Sequence, residues 1–286
     1  MKNLLLTGAN GFVGSYFKKH YNEAFKIKTF SFLSDDFEAL CLNGIEVVVH
    51  LSALVHQMDG VENESEYERV NVTQTLQLAQ KAKKSGVGHV IFMSSVKVYG
   101  EESDTAYHED TACYPLDAYG KSKLKAEKAL QNIEDDSFKV SIIRTPIVYG
   151  YGVKANMHNL ITLIDKIPIL PLGGIKNSRS MVYIGNLCAI ISAIINTEKS
   201  GIFLCKDEET LSTTELILHI ASASDKKIFL VSLPFFAFLL QKFKPSFYKR
   251  LYLSLEIENS KSKKTLQFSV PYSAEEGIKL MIHGEK

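Results

Sequence analysis

Directly after the apolar run Leu4, Leu5 and Leu6 stands TGANGFVG, Thr7 to Gly14, with glycines at positions 8, 11 and 14. No other stretch restricts the possible folds as strongly. Glycines at such a place let an anion reach the unshielded N–H groups at the start of a helix. A glycine at the third position also lets that helix pack close to the strand before it. Strand, glycine turn and helix in this order predict a pyrophosphate cradle of a dinucleotide site, formed by Gly8, Asn10, Gly11, Phe12, Val13 and Gly14. The spacing is G-x-x-G-x-x-G, which differs from the G-x-G-x-x-G of many dehydrogenases.

The chain that follows alternates as such a site requires. Ile27 to Phe32, Ile45 to Leu51, His89 to Met93 and Val140 to Ile143 read as strands, and IEVVVHL is continuously apolar, as in a strand buried on both faces. Ser15 to Phe25, Tyr67 to Lys84 and Tyr119 to Gln131 read as helices. Strand–helix alternation predicts an α/β fold: a doubly wound parallel Rossmann sheet with a smaller C-terminal substrate-binding lobe. The expected division is 1–149 for the dinucleotide-binding domain, with 181–200 returning to it as a short strand and a helix, and 150–180 and 201–286 for the smaller lobe. No internal repeat interrupts this pattern.

The formal net charge of the 286 residues is +1, which gives no bulk attraction for nucleic acid. Four cysteines, Cys41, Cys113, Cys188 and Cys205, form no C-x-x-C pair, and no H-x-x-x-H or carboxylate cluster suggests a metal. The N-terminal apolar run is too short for a signal sequence, so the cytoplasm is the expected compartment. Ile228 to Leu240 is nearly all apolar and is flanked by Lys226, Lys227, Lys242 and Lys244, but it falls short of the roughly 20 residues that span a bilayer. It reads as a core or lid segment; the other reading is contact with a membrane surface.

Tyr119 and Lys123 lie one helical turn apart in YGKSK, on the same helix face. A phenol with a pKa of about 10 is a poor base at neutral pH. A neighbouring ammonium and a positive nicotinamide ring both favour the phenolate. Tyr119 can then exchange the proton of a carbinol while hydride moves at the same carbon. Ser94 and Ser95 end the strand His89 to Met93, at the edge where open sheets place ligands. The Ser95 hydroxyl is suited to the reacting oxygen, and Ser94 to a turn. The second strand should end near the adenine ribose, where an acid selects NAD. Here it runs into Ser31, with Asp35 and Asp36 arriving late and no arginine to grip a 2′-phosphate. That leaves NAD or NADP open, with a lean to NADP.

TGANGFVG, LSA at Leu51 to Ala53, SSVKVYG at Ser94 to Gly100, YGKSK, and RTPIVYG at Arg144 to Gly150 resemble, in order, the motifs of the extended short-chain dehydrogenases that act on nucleotide sugars. The resemblance implies a catalytic set of Ser95, Tyr119 and Lys123. It implies cofactor contacts from the glycine turn, Ser31, Leu51, Pro146, Tyr119 and Lys123, with Ser52 and Ala53 on the nicotinamide side and Asn71 bracing the active-site strand. It implies a UDP-sugar substrate touched by Ser95, Val96, Tyr119, Asn156 and Arg179, with Arg179 at the phosphates and Lys154 either a further phosphate contact or solvated. His50 reads as a satisfied core residue, and Arg144 as a strand end open to a structural role. His56, after the LSA run, is a candidate for the pocket wall. A homodimer through a four-helix interface of Tyr67 to Lys84 and Tyr119 to Gln131 is implied as well.

Within that family, dehydratases follow the strand-end serine or threonine with an Asp-Glu pair. This chain has Val96 and Lys97 there, which argues against elimination chemistry. The stretches SALVHQM, GVKANMHNLITLID and LPLGGIKNSRSMVYIGNL look most like reductases of UDP-2-acetamido-2,6-dideoxy-4-ketohexoses. The chain is also short, leaving less room for a bound 4-keto sugar to turn over. A 4-keto reductase is therefore the first expectation and a UDP-hexose or UDP-N-acetylhexosamine 4-epimerase the second. A non-catalytic NADP sensor is the alternative of another class; such proteins usually lose the tyrosine or the lysine.

Overall fold

Six parallel strands build the central sheet in the order β2 (Lys26–Phe30), β1 (Asn3–Thr7), β3 (Val47–His50), β4 (His89–Ser95), β5 (Lys139–Thr145), β9 (Gly201–Leu204). The computed structural model describes residues 1–55 and 64–285. Strand β1 (Asn3–Thr7) leads through α1 (Phe12–Tyr21) to β2 (Lys26–Phe30), and β3 (Val47–His50) takes the other side of β1. A helical rod follows: α2 (Glu64–Tyr67), a π-helical stretch Glu68–Thr73, and α3 (Gln74–Lys84). Then come β4 (His89–Ser95), a 3₁₀ turn Val96–Val98, α4 (Ala118–Gln131) and β5 (Lys139–Thr145). Because the chain turns opposite ways from β1 and β3, the C-terminal ends of these strands open the crevice in which doubly wound sheets bind ligands.

The two-residue period of a strand sends alternate side chains to opposite faces. Leu4, Leu6, Val47, Val49 and Ile91 face one cluster, packed with Phe17 of α1 and with the isoleucines of α6 (Ile184–Thr197). Leu5, Val48, Val90 and Phe92 face the other, against Leu78 and Ala82 of α3 and Ala126 and Leu130 of α4. Both faces are therefore covered, which accounts for the uninterrupted apolar reading of β3.

The remaining elements are β6 (Ile147–Tyr149), α5 (Ala155–Lys166), β7 (Ile169–Leu170), β8 (Met181–Tyr183), α6, β9 (Gly201–Leu204), α7 (Thr213–Ala223), β10 (Phe229–Leu230), α8 (Pro234–Phe243), α9 (Pro245–Tyr252), α10 (Ser260–Leu266) and α11 (Ala274–His283). Strands β6 and β8 pair with each other, as do β7 and β10.

Three sequence expectations need adjustment. Residues 201–204 were expected in the small lobe, yet β9 pairs in parallel with β5 as the sixth strand of the main sheet. Strand two stops at Phe30 rather than Phe32, because Ser34 and Asp35 turn back to the Ser31 carbonyl. Ile228 to Leu240 is not one segment: it divides into β10 and most of α8, and Phe229, Leu233, Phe235 and Phe238 are exposed rather than in the core.

Candidate active site

The glycine turn leaves β1 at Gly8, whose φ of +70° suits glycine. A Cβ on Gly8 would lie 2.8 Å from the Ser52 nitrogen, and one on Gly14 would lie 2.1 Å from the Gly8 oxygen. Turn, helix and the end of β3 are thus pressed together as far as backbone allows. No side chain caps the start of α1 at Gly11, so its first N–H groups remain available to an anion. Asn10 and Gly11 are exposed and Phe12 and Val13 half-buried on this edge. The cradle fits a pyrophosphate on the backbone's own terms.

Asp35 changes the reading of strand two. Its carboxylate accepts from the Ser31 N–H at 2.8 Å and from the Ser34 hydroxyl at 2.9 Å. The acid absent from the strand end in sequence is folded back onto it in space. The tight turn hides this from a count along the chain.

Under the crevice runs a buried polar chain. His50 Nδ1 lies 2.7 Å from the Thr7 hydroxyl and Nε2 lies 2.9 Å from the Thr75 hydroxyl. Burial, then the nearby Lys123 charge, push its pKa down to about 3, so the ring stays neutral. Thr7 also accepts from the Ser52 N–H at 3.3 Å, and Thr75 donates to the Asn71 carbonyl at 2.8 Å. Asn71 is fully buried in the π-helical stretch, the kind of local unwinding often found at functional sites. Its amide grips both Leu54 backbone groups, at 2.8 and 3.0 Å, and donates to the Ser122 hydroxyl at 3.0 Å. It therefore ties the chain after Ala53 to α4. His56 lies outside the described residues.

Helix α4 carries Tyr119 and Lys123, two of the three expected catalytic residues. Asp117 caps it, accepting from Gly120 N at 2.7 Å, and pairs with Lys97. Lys97 is thus engaged in holding the helix start, while Val96 beside it is buried. Burial raises the Tyr119 pKa, Asp117 adds to the rise, and the nearby Ser95 hydroxyl opposes it. Lys123 is 2 % exposed and donates to the Met93 carbonyl at 2.7 Å, with its ammonium 4.5 Å from the Phe92 ring centre and 5.9 Å from that of Tyr119. Burial lowers its pKa to about 7, against the raising effect of Glu127 one turn on. Ser95, Tyr119 and Lys123 therefore converge at the C-terminal end of β4.

Sequence reading missed the support beneath them. Ser94, next to Ser95, donates to Glu127, which also receives Arg144 at 2.6, 3.1 and 3.2 Å. Arg144 lies 4.7 Å from the Tyr99 ring. The only signal in sequence was Glu127 standing four residues after Lys123. Pro146 is buried just after β5. Asn156 and Arg179 form a separate group: Asn156 accepts from Arg250 at 3.1 Å, and Arg179 donates to the carbonyls of Leu253 and Lys249 at 3.0 and 3.4 Å. Lys154 is exposed just before α5.

Residues 4–204 match the model of the family described as "NAD dependent epimerase/dehydratase family". The chain belongs to this family. Among its relatives, UDP-glucose 4-epimerase of Vibrio cholerae is 37 % identical, over 97 % of this chain and 94 % of the relative. The N-acetyl-alpha-D-glucosaminyl-diphospho-ditrans,octacis-undecaprenol 4-epimerase of Escherichia coli O157:H7 is 30 % identical over 82 % of this chain and 76 % of that protein. The solved structure of UDP-glucuronic acid 4-epimerase from Bacillus cereus, in complex with NAD, superposes with a TM-score of 0.80 at 22 % identity, over 99 % of this chain and 98 % of that one. At that identity the superposition speaks for the fold: a parallel sheet with helices on both faces.

Proposed function

We propose that this family member is a NAD-dependent 4-epimerase of UDP-linked hexoses or N-acetylhexosamines. One observation carries the reading: 37 % identity to a UDP-glucose 4-epimerase along nearly the whole of both chains. The order of the two sequence expectations is therefore reversed, with the 4-epimerase ahead of the 4-keto reductase.

In this proposal Tyr119 takes the proton of the C4 hydroxyl and later returns it. Ser95 holds the same oxygen and steadies its charge. Lys123, when protonated, draws the Tyr119 pKa down. A nicotinamide dinucleotide held in the glycine cradle would supply reversible hydride exchange at C4. Gly8, Gly11 and Gly14 would hold the pyrophosphate, Ser31 and Asp35 the adenine ribose, and Leu51, Ser52, Ala53 and Pro146 the walls beside the ring. Asn156 and Arg179 would meet the UDP. Asp35 supports NAD over NADP, since its carboxylate is folded back onto the Ser31 N–H at the end of strand two, the region where an acid disfavours a 2′-phosphate; the lean to NADP is given up.

Purified protein incubated with UDP-glucose or UDP-N-acetylglucosamine, without added cofactor, should form the C4 epimer with no net change in nicotinamide absorbance. Stoichiometric NAD(P)H oxidation with a UDP-4-keto-6-deoxy sugar, and no epimer, would establish the reductase instead. Tyr119→Phe should lower kcat by about 10²-fold or more and leave NAD binding intact. Unchanged turnover would remove Tyr119 from the mechanism.

A further inference from the structure

Between Lys226 and Leu255 the chain carries Lys226, Lys227, Lys242, Lys244, Lys249 and Arg250 and no Asp or Glu, in a protein whose whole formal charge is +1. The same stretch exposes its aromatic residues. Phe235, Phe238, Phe243 and Phe247 on α8 and α9 are 69, 56, 70 and 52 % exposed, and Phe229 and Leu233 before them are exposed too. The Phe235 and Phe238 rings stack on each other at 6.2 Å rather than on the core. Lys242 and Lys244 place their ammonium groups 5.7 and 5.6 Å from the rings of Phe243 and Phe247. No side chain of α9 is buried.

Short helices that pack little against their own protein are weakly stabilised. A large apolar patch left on a surface marks a contact. Lys226 and Lys249 meet Asp165 and Glu101 of other elements at 3.8 Å, but no acid stands on α8 or α9 themselves, and aromatic side chains interleaved with lysines match a surface that carries both acyl chains and negative headgroups. A helical span is excluded here, since no helix among the described residues is long and apolar enough to cross a membrane. We infer that α8 and α9 dock this enzyme onto an anionic phospholipid surface, the phenylalanines entering the headgroup–acyl boundary and the lysines pairing with phosphates. The docking face adjoins the proposed UDP site, because α9 holds Asn156 through Arg250 and Arg179 through the Lys249 carbonyl, and Leu253 just after α9 accepts from Arg179 as well. The inference stands whether the reaction is epimerisation or reduction.

The full chain is sedimented with sucrose-loaded vesicles of phosphatidylcholine alone and of phosphatidylcholine with phosphatidylglycerol, at low and high salt. Binding is expected to the anionic vesicles, to weaken with salt, and to fall about tenfold or more in Phe235→Ser/Phe238→Ser and in Lys242→Glu/Lys244→Glu. Cofactor binding by both variants should equal that of the parent, which shows that they fold. Absence of binding, equal binding to neutral and anionic vesicles, or binding unchanged in both variants overturns the inference. So does a dimer in analytical ultracentrifugation that the phenylalanine variant abolishes without any vesicle binding by the parent: the patch would then cover a second copy of the chain.

Discussion

In the proposed mechanism the proton chemistry turns on Lys123. Its ammonium sits against a carbonyl and an aromatic face and is 2 % exposed, so burial disfavours the charged form and the pKa falls from 10.5 to about 7. In the unfolded chain the lysine binds its proton up to about pH 10.4. Between the two values the unfolded state holds more protons than the folded one, so this group makes stability rise with pH across that window and withholds it below. Urea unfolding of cofactor-free protein at several pH values should show a positive slope that Lys123→Met reduces. An identical slope in the variant would mean that Lys123 is charged throughout. Asp35 allows a second test at this scale. Asp35→Ser should raise the ratio of NADP to NAD affinity about tenfold, measured by titration calorimetry with each cofactor. An unchanged ratio would show that another residue chooses between them. That Tyr119 and Lys123 stand on one helix face was legible in sequence, because i and i+4 on a helix share a face. Asp35 was not, because its position depends on a turn whose closure is a hydrogen bond and not a spacing.

At the scale of elements, α4 is fixed from several sides. Asn71 holds it to the chain after β3 through Ser122, Asp117 and Lys97 hold its start to the turn after β4, and Glu127 with Arg144 pins its middle to β5. Both partners of the last pair are nearly free of solvent, at 1 and 4 % side-chain exposure. A buried pair adds little net stability over an apolar replacement, but removing one partner strands a charge and costs roughly 3–5 kcal/mol. Arg144→Met should lose about that amount in denaturant unfolding, and Arg144→Met/Glu127→Leu should recover much of it. A loss within about 0.5 kcal/mol for the single variant would show that the pair is dispensable. The strands and helices up to β5, and β8 with α6, were visible in the sequence and the structure moves their ends by a few residues, whereas α5, α7 and α8 to α11 were not read from it. The bracing was hidden because it depends on which strand faces which helix, and sequence periodicity reports a face without naming its partner.

At the scale of the molecule, the main sheet and the elements after Tyr149 share one core. A single apolar cluster runs from Leu4 and Val49 in the sheet, through Ile190 and Ile194 of α6, to Ile217 and Ile220 of α7 and Ile278 of α11. This continuity escaped the sequence reading, which separated the lobes by the glycines and prolines after Tyr149. A core shared in this way has no seam at which one half can melt alone. The protein should therefore unfold in one transition, with amide exchange in α3 and in α7 approaching the same limiting free energy. NAD, though proposed to touch only the first half, should then protect both. At about 100 times its Kd it contributes about 2.7 kcal/mol, enough to move the midpoint by several degrees. A second transition, or protection by NAD confined to α3, would mean that the lobes fold separately despite their common packing. It would also remove the route by which cofactor binding could stiffen the lobe that carries Asn156 and Arg179. If coupling holds, the cofactor prepares the sugar-nucleotide site before the substrate arrives, and NAD should tighten UDP binding by the same factor by which UDP tightens NAD.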